Sequence, residues 1–495
     1  MTVYLVGAGP GDPKLITLRG AELLRRADAV VYGSLLDPRL LSLAPAGAEL
    51  VEVAEALEGP CDAGQEAVST ALVDLGRRHE VVVRLQVGDP FVCGRGGEEA
   101  LAVRAAGIEF EVVAGVPAAT GVLALAGVPV TYPGISSSFT VVSGHCMAEL
   151  PLADRASPAL AAEATLVVVK GLAQREEIAH RLLASGRRPE TPVAVVEHGG
   201  VGAKRTVRTT LDQLAAVRAA SPATIVVGDV AAVDLRWFET RPLFGWRVIV
   251  TRASSQASAL VGRLADAGAW PVEVPVIAVV DAADGGAALE RAMAGLVEYD
   301  WVVFSSANAV ERCWRYLRDA RALGRSSVAA IGEATAAALG ARGVAADLVP
   351  ERFVAESLVA AFPHPVQRGE GRVLVPCAAG ARDVTAEGLR EKGWRVEVVE
   401  AYRTVRPGPG VVPPGALDGA DAVTFTSSST VTGFLEIAGP EQVPAVVACI
   451  GPVTARTAAE AGLRVDVVPA VHTVDALVDA LVAWARHKSR RSDGG

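Results

Sequence analysis

The sequence predicts an α/β fold throughout, laid out as two successive units, and three observations predict it. β-Branched runs alternate with helix-period segments along the whole 495-residue chain, the pattern of βαβ units in mostly parallel sheets. Two glycine-rich stretches directly follow such runs, where open α/β sheets hold ligands. Beyond residue 245 the chain repeats itself at a nearly constant offset, which reads as a duplicated α/β unit.

The elements follow in order. Val3 to Val6 is a strand and leads into the turn Gly7-Ala-Gly-Pro-Gly-Asp12. Thr17 can cap a helix in which Leu18, Ala21, Leu24 and Ala27 recur near helical spacing. Ala29 to Tyr32 is the next strand. Val81-Val82-Val83 is a buried strand, and Ala100-Leu101-Ala102-Val103 opens a helix. Between them, Arg84 to Glu99 forms a long loop in which Gly88, Gly94, Gly96 and Gly97 let backbone approach a ligand closely. Further strands are Glu111–Ala114, Phe139–Val142, Thr165–Val169, Val193–Glu197 and Thr224–Val227.

Arg236 to Gly245 reads as a seam, since a new βα unit begins at once with Trp246-Arg-Val-Ile-Val-Thr-Arg252. After it, Trp301-Val-Val-Phe-Ser-Ser306 is echoed by Ala422-Val-Thr-Phe-Thr-Ser427. Ala329-Ala-Ile-Gly-Glu-Ala-Thr335 is echoed by Ala448-Cys-Ile-Gly-Pro-Val-Thr454, with Gly332 and Gly451 119 positions apart. Chance matches would not keep one offset.

Composition narrows the function classes. A net charge of −9 argues against nonspecific nucleic-acid binding and against an anionic membrane surface. No apolar run is long enough to span a bilayer. The strand that starts at Val3 leaves no room for a signal peptide, so a cytoplasmic protein is expected. None of the six cysteines forms a CxxC pair; they read as small buried hydrophobes rather than a zinc site, and no metal is expected. The polar end, residues 487–495, is expected to be disordered.

The turn Gly7–Asp12 is not the dinucleotide fingerprint. It lacks the sixth-position glycine, and Pro10 removes an N–H that would cradle phosphate. Together with Gly88-Asp89-Pro90 it suggests a ligand with a ribose and an amino-acid end. Asp89 can accept from hydroxyls or an ammonium, and exposed backbone can bind a carboxylate. Those demands fit S-adenosylmethionine.

With these residues in view, residues 1 to about 235 resemble the uroporphyrinogen-III C-methyltransferases of the tetrapyrrole methylase family. The matching pieces are Val6–Pro13, Gly88–Glu99, Ala126-Gly-Val-Pro-Val-Thr131, Ser143-Gly-His145 and Pro192–Glu197. The resemblance implies a two-lobed methylase unit. Its S-adenosylmethionine contacts would be Pro10, Val87, Gly88, Asp89, Pro117, Ala118, Lys170 and Gly199. It also implies catalytic roles toward the tetrapyrrole for Arg95 and Glu98. A structural ion pair between Arg95 and Glu98 or Glu99 is the other reading of that arginine. The chain departs from the family where Gln86 and Val87 replace Lys-Gly, Tyr132-Pro133 replace His-Arg and Lys170 replaces a methionine. The acidic Ala54–Pro60 also replaces a basic segment.

Residues 246–486 resemble uroporphyrinogen-III synthase. The matches include Val250-Thr-Arg252, Phe304–Val310, Ile331–Thr335, Ala401-Tyr402-Arg403, Phe425–Val431 and Ile450–Ala455. The resemblance implies two α/β lobes, one from about 246–275 plus 405–486 and the other from about 281–398, with 236–245 as linker. Ser305, Ser306, Thr335, Ser427, Ser428 and Thr454 fall at strand-to-helix junctions. They are candidates to bind the carboxylates of a linear tetrapyrrole, Arg252 is a candidate clamp, and each hydroxyl is alternatively a plain helix cap. Tyr402 is the candidate to assist loss of the terminal hydroxyl.

The expectation is a fused enzyme acting on small-molecule tetrapyrroles, with S-adenosylmethionine as cofactor and a possible homodimer through the methylase half. It would cyclise hydroxymethylbilane to uroporphyrinogen III and methylate that product toward precorrin-2. The alternative is a synthase whose methylase-like half is a binding or structural module, or acts on another substrate.

Overall fold

The computed structural model describes residues 1–45, 47–53, 64–144, 164–199, 204–351, 355–366, 371–381, 384–406, 412 and 415–492. Ala54–Pro60, Cys61, His145 and Cys146 lie outside the described residues. Among the described residues four sheets carry the architecture, two in each half.

The first sheet holds β1 (Thr2–Gly7), β2 (Ala29–Gly33), β3 (Glu49–Val53), β4 (Val81–Gln86) and β5 (Glu109–Val113), all parallel, in the order β3-β2-β4-β1-β5. The link leaving β1 passes β4 to reach β2, and the link leaving β4 passes β1 to reach β5. Right-handed crossovers therefore put them on opposite faces. The packing agrees. Leu23 and Leu24 of the Leu18–Leu24 helix join Val6 and Val30, whereas Ala100 and Val103 of the Gly96–Ala105 helix join Val3, Leu5 and Val31. Thr17 caps the first of these helices, its side chain accepting from the Gly20 N–H at 3.2 Å. Where neighbouring links diverge, the carboxyl ends of β1 and β4 leave a crevice.

The second sheet holds β6 (Phe139–Ser143), β7 (Thr165–Val169), β8 (Pro192–Glu197), β9 (Arg205–Thr210) and β10 (Ala223–Val227), in the order β6-β7-β10-β8-β9. Here the expectation of mostly parallel pairing is corrected. β10 runs antiparallel to β7 and β8, β9 runs antiparallel to β8, and only β6–β7 is parallel. The edge strand β9, Arg-Thr-Val-Arg-Thr-Thr, carries too little apolar side chain to announce itself. The Ala118–Leu125 helix joins the two lobes, packing Ala119, Val122 and Leu123 against Val167, Val169, Ala194 and Val196.

The second half holds β11 (Arg247–Val250), β12 (Trp270–Glu273), β13 (Ala278–Asp281), β14 (Trp301–Phe304), β15 (Ser327–Ala330), β16 (Arg372–Ala378), β17 (Arg395–Val405), β18 (Ala422–Phe425) and β19 (Val446–Cys449). One sheet is β12-β11-β18-β19, the other β13-β17-β16-β14-β15. Without β13 the two orders superpose strand for strand, and so do details. Asp421 and Asp300 accept the backbone N–H of Arg247 and Arg372 at 2.8 and 2.9 Å. Asp466 and Asp347 accept those of Val447 and Val328 at 3.0 and 2.7 Å. The chain crosses between the lobes on β13, which pairs antiparallel with the last residues of β17.

The final helix runs Val474–Ser492, through most of the segment expected to be disordered. Ala485-Arg-His-Lys has high helix propensity and continues a helix already anchored by buried Leu477, Val478 and Leu481. Among the described residues no helix is long and apolar enough to cross a membrane.

Candidate active site

Three glycines bring three strand ends of the first sheet into backbone contact. A Cβ on Gly7 would stand 2.5 Å from the Gly115 Cα and 2.7 Å from the Gly88 carbonyl oxygen, and one on Gly115 would stand 2.3 Å from that same oxygen. Gly88, at φ +79°, is a position where a side chain would strain the backbone. Gly88 donates to the Gly9 carbonyl at 2.7 Å and accepts from the Gly9 N–H at 3.2 Å, so the loops after β1 and β4 form one surface. Asp89 fixes the third loop. Its Oδ1 accepts from the Phe91 N–H and its Oδ2 from the Gly115 N–H, both at 2.8 Å. The carboxylate therefore first shapes the site, and only its remaining lone pairs can meet a ligand.

The Ala118–Leu125 helix closes this floor. Pro117 is its N-cap and supplies no side-chain cap. The Ala118 nitrogen lies 3.4 Å from where a Gly88 Cβ would be. Pro10 packs on the helix flank, 2.8 Å from where a Gly121 Cβ would be, and a Cβ on Gly199 would meet the Val122 Cγ1 at 2.2 Å. The structure thus gathers Pro10, Gly88, Asp89, Pro117, Ala118 and Gly199 around one helix, with half-buried Val87 leading in. Lys170 follows β7 at φ 54°, a left-handed conformation costly for a lysine. Next to it, a Cβ on Gly144 would stand 2.2 Å from the Gly171 Cα.

Arg95 and Glu98 do not lie on a continuous loop as the sequence suggested. The helix begins at Gly96, with Arg95 as N-cap and Glu98 in the first turn, where a carboxylate favours the helix dipole. The two side chains pair at 2.6 Å.

Sequence reasoning missed the cluster beneath them. Glu99 is fully buried. It accepts from Arg84 Nε at 3.3 Å, from the Gln86 amide at 2.6 Å and from the Gln65 amide at 3.5 Å. Burial pushes the Glu99 carboxyl up, against the opposing pull of Arg84 and the three hydrogen bonds. Gln86 is therefore a structural ligand of Glu99. The signal was present in the sequence as Arg84, a charge inside an apolar strand.

In the second half, Ser306 and Ser427 are both helix N-caps. Ser306 accepts from the Ala309 N–H at 3.2 Å, and Ser427 shares a capping box with Thr430. Each also does something more. Ser306 Oγ lies 3.1 Å from the hydroxyl of Tyr402, which is 7% exposed, and half-buried Ser305 precedes it at the end of β14. In the other lobe Ser427 meets Ser429 at 2.9 Å, and Ser428 meets Thr457 at 2.7 Å. Thr335 and Thr454 are buried in the first turns of equivalent helices, Glu333–Gly340 and Pro452–Glu460. Arg252 follows β11, half-buried, and burial lowers its guanidinium pKa from the ordinary value. Arg403 donates to the Asp281 carbonyl at 3.3 Å and pairs with Glu400 at 3.8 Å.

Comparison with known proteins divides the chain in the same way. Residues 2–215 match the tetrapyrrole (corrin/porphyrin) methylases, and residues 258–479 match uroporphyrinogen-III synthase HemD. A porphyrin biosynthesis protein HemD from Ruminiclostridium josui is 34% identical over 97% of both chains. A siroheme synthase from Tolumonas auensis is 42% identical over 48% of this chain and 51% of its own, so this chain spans about half the length of the siroheme synthases it matches. Among solved structures, a uroporphyrin-III C-methyl transferase from Thermus thermophilus, complexed with S-adenyl homocysteine, is 38% identical. It covers 47% of this chain and 100% of that one, at TM-score 0.41. A uroporphyrinogen III synthase from the same bacterium is 19% identical, covering 49% and 100%, at TM-score 0.38.

Proposed function

The chain belongs to the family in which a tetrapyrrole methylase and a uroporphyrinogen-III synthase are joined in one polypeptide, and from that premise we propose that it makes and then methylates uroporphyrinogen III. In this reading the second half cyclises hydroxymethylbilane and the first half carries the product toward precorrin-2. The observation that carries it is the pairing of both family matches, in order, with a 34% identical relative that runs the full length.

The residues of the first half fit S-adenosylmethionine. The contact of Gly7, Gly88 and Gly115 leaves main-chain groups, rather than side chains, facing the crevice. Behind Pro117, which has no N–H of its own, Ala118 and Ala119 present first-turn N–H groups without a side-chain cap, suited to a carboxylate. Pro10, Val87, Gly88, Asp89, Pro117, Ala118, Lys170 and Gly199 would hold the molecule, which supplies an electrophilic methyl group when bound. Arg95, paired with Glu98, is positioned to steer a substrate carboxylate or to take up charge as a ring carbon loses its proton.

In the second half Tyr402 is the proton donor for departure of the terminal hydroxyl, held in register by Ser306. Arg252, Ser305, Ser306, Thr335, Ser427, Ser428 and Thr454 would anchor carboxylates of the flexible bilane. The chemistry is then conformational control of the last pyrrole as much as acid catalysis.

The test supplies hydroxymethylbilane and S-adenosylmethionine to the purified chain and separates the products by isomer and mass. Type III uroporphyrinogen with singly and doubly methylated derivatives is expected. Only the type I isomer, which bilane forms by spontaneous closure, would remove the synthase assignment. A second reading, in which the first half binds cofactor without transferring methyl, is favoured by the closed Arg95–Glu98 pair and by Gln86 being engaged on Glu99. Type III product with bound cofactor and no methylation would select it.

A further inference from the structure

The seam between the halves is built into the first half, and it grips the helix on which the candidate cofactor site is assembled. That helix, Ala118–Leu125, is eight residues long, about 12 Å from end to end. Its N-terminal end carries Pro117 and Ala118, and its flank carries the contacts to Pro10 and Gly199. Its last carbonyls are met by two long side chains. Trp237 Nε1 donates to the Ala124 carbonyl at 2.8 Å, and Lys204 Nζ donates to the Leu125 carbonyl at 2.5 Å.

Both donors are locked in turn. The Lys204 side chain is 1% exposed, with Nζ 4.6 Å from the Phe238 ring centroid, 5.9 Å from that of Phe244 and 3.9 Å from Glu239 Oε1. The Arg241 guanidinium lies 4.3 Å from the Phe238 centroid and 5.1 Å from that of Trp237. A lysine buried among aromatic rings serves one acceptor at one place, because leaving it would strand a desolvated ammonium.

We propose that Trp237 and Lys204 are positioning residues for the cofactor site, acting through the Ala118–Leu125 helix, so that the linker is a working part of the methylase half. This rests on the S-adenosylmethionine reading above. Two hydrogen bonds hold the helix along its axis. Loss of either lets it slide or tilt against the glycine floor, where Gly88 and Gly115 meet in backbone contact and the Ala118 nitrogen lies 3.4 Å from where a Gly88 Cβ would stand.

Calorimetric titration of the full chain with S-adenosylhomocysteine tests it. Trp237→Phe keeps a ring beneath Arg241 and removes the N–H; Lys204→Met keeps the length and removes the donor. Each is expected to weaken binding about tenfold at unchanged stoichiometry, while synthase turnover stays at the wild-type level. Lys204→Arg is expected to restore most of the affinity. A merely destabilised protein would instead lose stoichiometry and keep its affinity. A measurement without any variant covers the case of poor folding. By reciprocity of linkage, S-adenosylhomocysteine should slow hydrogen exchange in residues 235–244 of the wild-type chain. Wild-type affinity in both variants, or unchanged exchange in that segment, overturns the inference and leaves the cofactor reading standing. A wild-type chain that binds no S-adenosylhomocysteine removes both.

Discussion

At the scale of single residues, two buried charges make opposite demands. Glu99 and Arg84 are 0% and 3% exposed and hold each other in place. Removing one partner strands the other without solvent, so Glu99→Ala should cost about 3–5 kcal/mol of stability. Glu99→Gln, which still offers an acceptor to Gln86, should cost less; a urea titration of each variant reads the difference. Lys204 is the other case. Burial pushes its pKa down from 10.5 to about 8, with Glu239 opposing and Arg241 and Arg208 adding to the drop. The unfolded chain therefore holds the extra proton between those two values, and this group makes the folded state more stable as pH rises through that window. The difference in unfolding free energy between wild type and Lys204→Met should climb from pH 8 to pH 10.5. A flat difference would mean that the ammonium is solvated after all.

At the scale of elements, hydroxyls at helix starts have to be sorted into caps and working groups. Ser306 is both, since it accepts from Ala309 and meets Tyr402. Loss of the cap alone in Ser306→Ala should cost about 1 kcal/mol. Tyr402→Phe leaves that cap intact, so it should lower synthase turnover many-fold with little change in unfolding midpoint. Equal turnover in Tyr402→Phe and wild type would return Tyr402 to the packing of its lobe. How far such elements can be read in advance depends on where their information resides. The duplication was legible because Ile-Gly-x-x-Thr and the paired Phe-x-Ser runs repeat locally in the chain, whereas the strand order was not. The antiparallel β10 was not, because strand direction is decided by partners far away in sequence, and its Ala-Thr-Ile-Val-Val reads identically either way. The glycine floor was visible as glycines, but their mutual contact is a tertiary fact. Arg84, Gln86 and Glu99 read as loop residues, because the one local sign of their burial, a charge directly after Val81-Val82-Val83, does not say which distant partner it meets.

At the scale of the whole molecule, the linker is anchored at both ends, and this decides how the halves depend on each other. Toward the first half it inserts Phe238 beside Lys204. Toward the second it inserts Leu243, 0% exposed, among Val248, Leu264 and Leu477, and its N–H donates to the Ala267 carbonyl at 2.9 Å. A second contact between the halves, Lys14 with Asp266, is solvent-exposed on both sides, and such pairs contribute about 0–1 kcal/mol. The linker therefore contributes buried coupling that this exposed pair does not, beside the charge interaction of half-buried Glu273 with Arg39. Leu243→Ala removes buried methyl groups from the second half's core and should destabilise that half by about 2–5 kcal/mol. Lys14→Ala should shift it by less than about 1 kcal/mol. Thermal unfolding followed by residual synthase activity, together with S-adenosylhomocysteine binding, separates the two effects. Because Leu243 sits five residues from Phe238, a loosened anchor at one end should be felt at the other. Leu243→Ala should then also weaken S-adenosylhomocysteine binding, by less than Trp237→Phe does, whereas Lys14→Ala should leave it unchanged. Full affinity in Leu243→Ala alongside a destabilised second half would show that the two anchors of the linker act independently.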